Sequence, residues 1–194
     1  MVHLVRGGLR LPAGMVRWSQ RMVGAAVVLG LAGAVLLAPV DFGVTRIGTA
    51  VDIARPPAEV YAYVTTPGHW PEWHPSSLAV HGDVDHSLLI GETVIEDFQV
   101  AGRRGQVTWQ VAAREPGRRW QISGDIDGRE AGTVTYRLPP VAAGTHFVRE
   151  FDYRSPNLLF AVLNALSLRR RIAAESQQAV RQLKDRSESP SKHG

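Results

Sequence analysis

Seven short stretches of alternating apolar and polar residues, at 45–53, 78–81, 92–100, 106–114, 119–124, 133–138 and 146–153, precede one long helical pattern from 157 to about 186. Period-two runs bounded by Gly, Pro and Asp predict antiparallel strands with one wet and one dry face. The apolar face of the terminal helix must lie on something, and a curved antiparallel sheet is the only surface in the chain large enough to receive it. The expected class is therefore α+β, with a curved antiparallel sheet of about seven strands wrapped around a long C-terminal helix. Between the first two strands, Pro56-Pro57 presets a helix over 58–64. Thr66-Pro67-Gly68 ends it, and the aromatic, proline-punctuated segment 69–75 then fits a turn and one helical turn, the second of two short helices. Gly102-Arg103-Arg104-Gly105 and Glu115-Pro116-Gly117 read as turns joining neighbouring strands. In the terminal helix Leu159, Leu163, Leu166, Ala173, Val180 and Leu183 recur on one face, whereas Arg169, Arg170, Arg171, Glu175, Arg181 and Asp185 occupy wetter positions.

The chain of 194 residues allows one domain plus an appendage. Its lack of cysteine excludes disulfides, thiolate metal sites and a cysteine nucleophile. The formal charge of +4 comes from Arg6, Arg10, Arg17 and Arg21, since the remainder carries 18 basic and 18 acidic residues. A neutral domain lacks the field that drives nucleic-acid binding, so no nucleic-acid partner is expected. Residues 22–40 carry no charge and would make a helix of about 28 Å, close to a bilayer's hydrocarbon thickness. The four preceding arginines keep the N-terminus cytoplasmic under the positive-inside rule and put the domain on the extracytoplasmic side. A cleaved signal peptide and a buried helix are the alternatives to this single-pass membrane anchor. Ala26, Gly30 and Ala34 offer a small-residue face through which two such helices could form a weak homodimer. The expected organisation is a basic segment over 1–21, a transmembrane helix over 22–40, a domain over 45–187 and a polar tail over 188–194.

The order of elements, with Val51-Asp52-Ile53-Ala54-Arg55-Pro56-Pro57-Ala58-Glu59-Val60-Tyr61 and then Pro67-Gly68-His69-Trp70-Pro71-Glu72-Trp73-His74-Pro75, resembles the START-like (SRPBCC) superfamily and its polyketide cyclase/dehydrase and lipid-transport branch. The resemblance covers most of 45–187 and implies a helix-grip fold enclosing a hydrophobic cavity between sheet and terminal helix. Such a fold hosts carriers, quinone-binding proteins, cyclases and co-chaperone relatives, so it does not select one function.

Strand parity turns Val94, Glu96, Phe98 and Val100 inward, as it does Val107, Trp109 and Val111, then Trp120 and Ile122, then Val134, Tyr136 and Leu138, then Phe147, Arg149, Phe151 and Tyr153. The candidate ligand-binding set is Trp73, His74, Glu96, Phe98, Trp109, Trp120, Tyr136, Arg149, Tyr153, Leu159 and Leu163, an apolar wall with a few polar handles. A filled core is the alternative. Glu96 and Arg149 are the two inward charges and are expected to pair or to anchor a ligand's polar end. His69 with His74, and the 81–86 segment, lack a recognised metal spacing, and no phosphate loop, nucleophile elbow or His-Glu-x-x-His is present. No metal, cofactor or assigned catalytic residue is expected. Three functions remain open: a membrane-anchored binding or carrier domain for a lipid, quinone or polyketide-like aromatic; a cyclase/dehydrase-type enzyme; and a protein-interaction module with a solid interior.

Overall fold

The computed structural model describes the backbone of residues 13–189 and the side chains from Met22 onward. Arg6, Arg10 and the end of the polar tail lie outside the described residues, as do the side chains of Arg17 and Arg21. Strands β1 (Val44–Ile53), β2 (Ser77–Gly82), β3 (Thr93–Val100), β4 (Arg103–Glu115), β5 (Arg119–Ile126), β6 (Arg129–Arg137), the two-residue β7 (Pro140–Val141) and β8 (Gly144–Arg154) form one antiparallel sheet. Its order is β1-β8-β6-β5-β4-β3-β2, with β7 paired to β8. Each of the seven expected strands is present.

The hairpin between β3 and β4 turns at Ala101 and Gly102, both at positive φ (51° and 84°), as a two-residue connection matched to strand twist requires. Helices follow β1 as α2 (Pro57–Thr65), a 3₁₀ turn over Pro67–His69 and α3 (Trp70–Trp73). Pro57 starts α2 as expected, and the side chains of Val60, Tyr61 and Val64 enter the core.

The terminal helix is broken into three parts. A short α4 (Leu158–Leu163) runs into a π-helical turn over Asn164–Leu168 and continues as α5 (Arg169–Glu188). Ala179, Val180 and Leu183 of α5 pack into the concave face of the sheet. Both ends of its path are tied down. Glu175 accepts from Ala101 N at 3.0 Å and from Ser76 Oγ at 3.0 Å, beside the β3–β4 hairpin. At the far end Lys184 Nζ donates to Asp52 O at 2.6 Å and Glu188 accepts from Ala54 N at 2.7 Å, beside the end of β1.

One expectation is corrected here. Leu159, Leu163 and Leu166 face solvent at 40%, 44% and 69% exposure, so they do not line the grip; the π turn inserts an extra residue and rotates them away from the face that Val180 and Leu183 share. The helix expected over 22–40 is present as α1 (Ala13–Leu37), and among the described residues no helix is long and apolar enough to cross a membrane. Its uncharged portion with described side chains starts at Met22 and stops at Leu37, about 24 Å, because Pro39 disfavours helical geometry at Ala38.

Gly144 begins β8 at φ +143°, and a Cβ there would stand 2.2 Å from Ile53 O and 2.8 Å from Arg55 N. Both obstacles are backbone. Gly144→Ala is therefore expected to destabilise the domain by at least ~2 kcal/mol through the β1–β8 junction. A urea midpoint equal to that of the parent would refute this.

Candidate functional site: a polar cluster inside the grip

The concave face divides into two halves of different chemistry. One is aromatic: Trp120 stacks on Tyr136 with ring centroids 5.4 Å apart, and Tyr136 meets Phe147 at 5.1 Å. Helix α3 adds Trp70, edge-on to Trp120 at 6.1 Å, and Trp73, edge-on to Tyr136 at 6.2 Å and Phe147 at 6.5 Å. Such ring-on-ring contacts fill this half in the manner of a close-packed core.

The other half is polar. Glu96 and Arg149 are both buried, at 9% and 6% exposure, so strand parity placed them on the correct face. They do not form an ion pair. Trp109 Nε1 donates to Glu96 Oε2 at 2.7 Å, and Arg149 Nη1 donates to Ser176 Oγ of α5 at 2.9 Å. Strands β4, β5 and β6 separate β3 from β8, about 19 Å in a flat sheet, yet the two charges influence one another because the sheet curls. Arg149 lies opposite Tyr136 on one neighbouring strand and Thr49 on the other. Gly124, opposite Trp109, leaves room for the indole: a Cβ there would lie 2.7 Å from Cζ3.

Burial dominates the electrostatics. It raises the Glu96 carboxyl above its ordinary range, while hydrogen bonding from Ser77 and Trp109 and the positive Arg149 pull it partway back. It pushes Tyr136 up to about 12. His74 is held well below its ordinary 6.5, first by desolvation and then by Arg149, and is therefore neutral near pH 7. Both His74 ring nitrogens are sealed from solvent without a partner, although part of the residue is exposed. Thr49 Oγ1, Arg149 Nε and Trp73 Nε1 are likewise buried and unpartnered. Ser77 Oγ makes no well-formed bond despite lying close enough to favour the Glu96 carboxylate.

Of the remaining expected site residues, Phe98 packs half-buried against the core, and Tyr153 is buried, stacked on Phe151 with its hydroxyl on Asn164 Oδ1 at 2.6 Å. Tyr153 thus serves the packing of the π turn. A hollow of about 330 Å³ opens at the rim of the grip among Pro75, Ser76, Leu78, Gln99, Glu175 and Gln178. Another of about 320 Å³ lies on the outer face of the sheet, among Arg46, Arg119, Thr133, Arg137 and Asp152. Of the histidines weighed as metal ligands, His74 is unpartnered and the others are paired separately, His69 with Glu72, His81 with Asp97, and His86 with Asp83 and Glu92; among the described residues no group of three or more that could hold an ion is found.

Residues 44–188 match the family model described as polyketide cyclase / dehydrase and lipid transport. The chain belongs to this family. Comparison with curated proteins gives no match. Among solved structures, an aromatase/cyclase from a Streptomyces species is 14% identical with a TM-score of 0.60, covering 75% of this chain and 94% of its own. A Rhodobacter sphaeroides protein is 26% identical (TM-score 0.56; 73% and 91% covered). A polyketide-cyclase-like protein of Corynebacterium glutamicum is 20% identical (TM-score 0.50; 81% and 100% covered). Family membership and the shared fold agree with the α+β sheet and terminal helix read from the pattern.

Sequence reasoning missed Thr49, Ser77 and Ser176, which complete the polar half. Thr49 lies opposite Arg149, so extending the parity argument to β1 could have found it; Ser176 depends on how α5 is rotated, which no local pattern reveals.

Two of the perturbed groups, His74 and Glu96, have opposite signatures. His74, depressed in the folded state, contributes stability above pH 6.5 that is lost as pH falls below it, with a slope of at most ~1.4 kcal/mol per pH unit. Glu96, raised, contributes stability present below about pH 4.5 and lost as pH rises through its folded value. His74→Gln should flatten the acid-side slope of urea stability below pH 6.5, and Glu96→Gln should remove the loss on the rising side. Unchanged slopes in both variants would show that neither group is desolvated as described.

Proposed function

We propose that this family member binds a hydrophobic small molecule, a lipid, quinone or polyketide-like aromatic, with its polar end in the Glu96, Arg149 and His74 half of the grip. The carrying observation is the convergence of unpartnered buried polar atoms there: both His74 nitrogens, Thr49 Oγ1 and Arg149 Nε. Each unmade bond costs about 1–3 kcal/mol, and a ligand carbonyl, phenol or carboxylate supplies partners for several at once. The rim hollow beside Glu175 is the proposed entrance, and widening it requires α5 or the β3–β4 hairpin to shift.

A second reading, a cyclase-type reaction, is favoured by one observation, a neutral His74 and a raised Glu96 carboxyl around one guanidinium. A neutral imidazole accepts a proton from an acidic C–H or O–H of the bound chain, and Arg149 steadies the enolate oxygen that results. The solid-interior interaction module finds support in the ring packing of the aromatic half, although Trp73 Nε1 and Trp120 Nε1 there are buried without a partner as well.

We also propose that the apolar segment 22–40 holds the domain at a membrane with the N-terminus cytoplasmic. Support comes from its uncharged sequence and from Val28, Leu29 and Leu31, which are 64%, 73% and 63% exposed.

Native mass spectrometry of the full chain extracted from its own membrane tests the binding reading. A co-purifying lipid, quinone or pigment is expected, and Arg149→Met should weaken its binding about 10- to 100-fold, the cost of one hydrogen bond from a charged donor. A bare protein mass, with no Trp fluorescence change on titration with a fatty acid, ubiquinone or an aromatic polyketide analogue, would overturn it.

A further inference from the structure

The segment from α4 through the π turn has its polarity inverted. Among residues 158–168 the one buried residue is Asn164, while Leu159, Val162, Leu163 and Leu166 are exposed at 40%, 44%, 44% and 69%. The inversion is built in by specific bonds. Tyr153 OH donates to Asn164 Oδ1 at 2.6 Å and Asn164 Nδ2 donates to Thr45 Oγ1 at 3.2 Å, which fixes the amide toward the sheet and turns the leucines outward. Asn157 caps the start, its side chain accepting from Phe160 N at 2.8 Å, so the segment is a formed helix rather than a frayed end.

Two features around this apolar strip select what covers it. Arg169, Arg170 and Arg171 follow it directly, are exposed, and make no ion pair among the described residues. Helix α1 packs against α4, and Leu36 and Leu37 at its end are exposed apolar residues too. An apolar strip edged by consecutive guanidiniums is the arrangement by which a helix lies at a bilayer interface, with leucines among acyl chains and cations at anionic headgroups.

We infer that the Leu159, Val162, Leu163 and Leu166 face, with Arg169, Arg170 and Arg171, docks on an anionic lipid surface. This contact is separate from any insertion of α1: it belongs to the folded domain and sets which side of the domain faces the bilayer.

The absence of cysteine permits single-cysteine labelling of the full chain. An environment-sensitive fluorophore at Leu166→Cys, reconstituted in phosphatidylcholine vesicles with one third phosphatidylglycerol, should shift to the blue and be quenched by bromolipids. The same label at Gln178→Cys on α5 should remain accessible to aqueous iodide. Vesicles without phosphatidylglycerol should reduce the fraction of Leu166→Cys label protected, as should Arg169→Gln, Arg170→Gln and Arg171→Gln together. The expected loss of surface affinity is about fivefold per arginine. These arginines are exposed and unpaired, so their removal leaves the fold intact, which a far-UV spectrum checks. A label at Ala34→Cys reports α1 independently, so an inserted α1 with an iodide-accessible Leu166→Cys refutes the docking alone. Protection of Leu166→Cys that rises with protein concentration in detergent, without lipid, assigns the face to a second copy of the chain and likewise overturns the inference.

Discussion

Pairing of β1 with β8 joins residues 44–53 to residues 145–154, a ladder of ten consecutive partners between chain segments about a hundred residues apart. Because β8 also pairs with β6, this ladder adds the first strand to the far edge of the meander and sets the width of the concave face. The path of α5 follows from it, since one of its ends is bonded to the end of β1 and its beginning to the hairpin on the opposite side. The aromatic rings from α3 are then trapped between a sheet and a helix whose positions are already determined.

Inside that enclosure the energetics of charge explain why the interior has two halves. A guanidinium and a carboxylate removed from water each lose hydration that their mutual attraction returns only at good geometry. Here each charge takes a neutral partner instead, an indole for Glu96 and a hydroxyl for Arg149, and the space between them is not closed by a direct bond. Desolvation therefore governs His74, Glu96 and Tyr136 alike, favouring the uncharged form of each. A site in which burial disfavours the charged forms of His74, Glu96 and Tyr136 beside the Arg149 guanidinium suits a ligand that is mostly apolar with one electron-rich end.

The strands and their inward residues were legible because a period of two leaves little choice once one face must be dry. Glu96 and Arg149 interrupt that pattern conspicuously, which is why they stood out among Val94, Phe98, Phe147 and Phe151. The short helices were equally plain, the first from Pro56-Pro57, which presets its start, and the second from the proline-punctuated 69–75 segment, which leaves room for one helical turn. Leu159 and Leu163 misled because their spacing continues into Val180 and Leu183 only if the helix is regular, and the π turn over Asn164–Leu168 breaks the phase. Nor could a pattern tell that Trp70, Trp73, Trp120 and Tyr136 would meet ring against ring, since the volume left between sheet and helix depends on curvature and not on composition.

A single residue added to a helix turns everything beyond it by about 100°. In this chain that rotation lets one continuous rod answer to two solvents: downstream, its oily side chains seal a protein interior, and upstream, chemically similar side chains are turned to the outside. Length of the rod and identity of its leucines can therefore vary with little effect on this division of labour, whereas removing the extra residue would bring both stretches into phase and erase it.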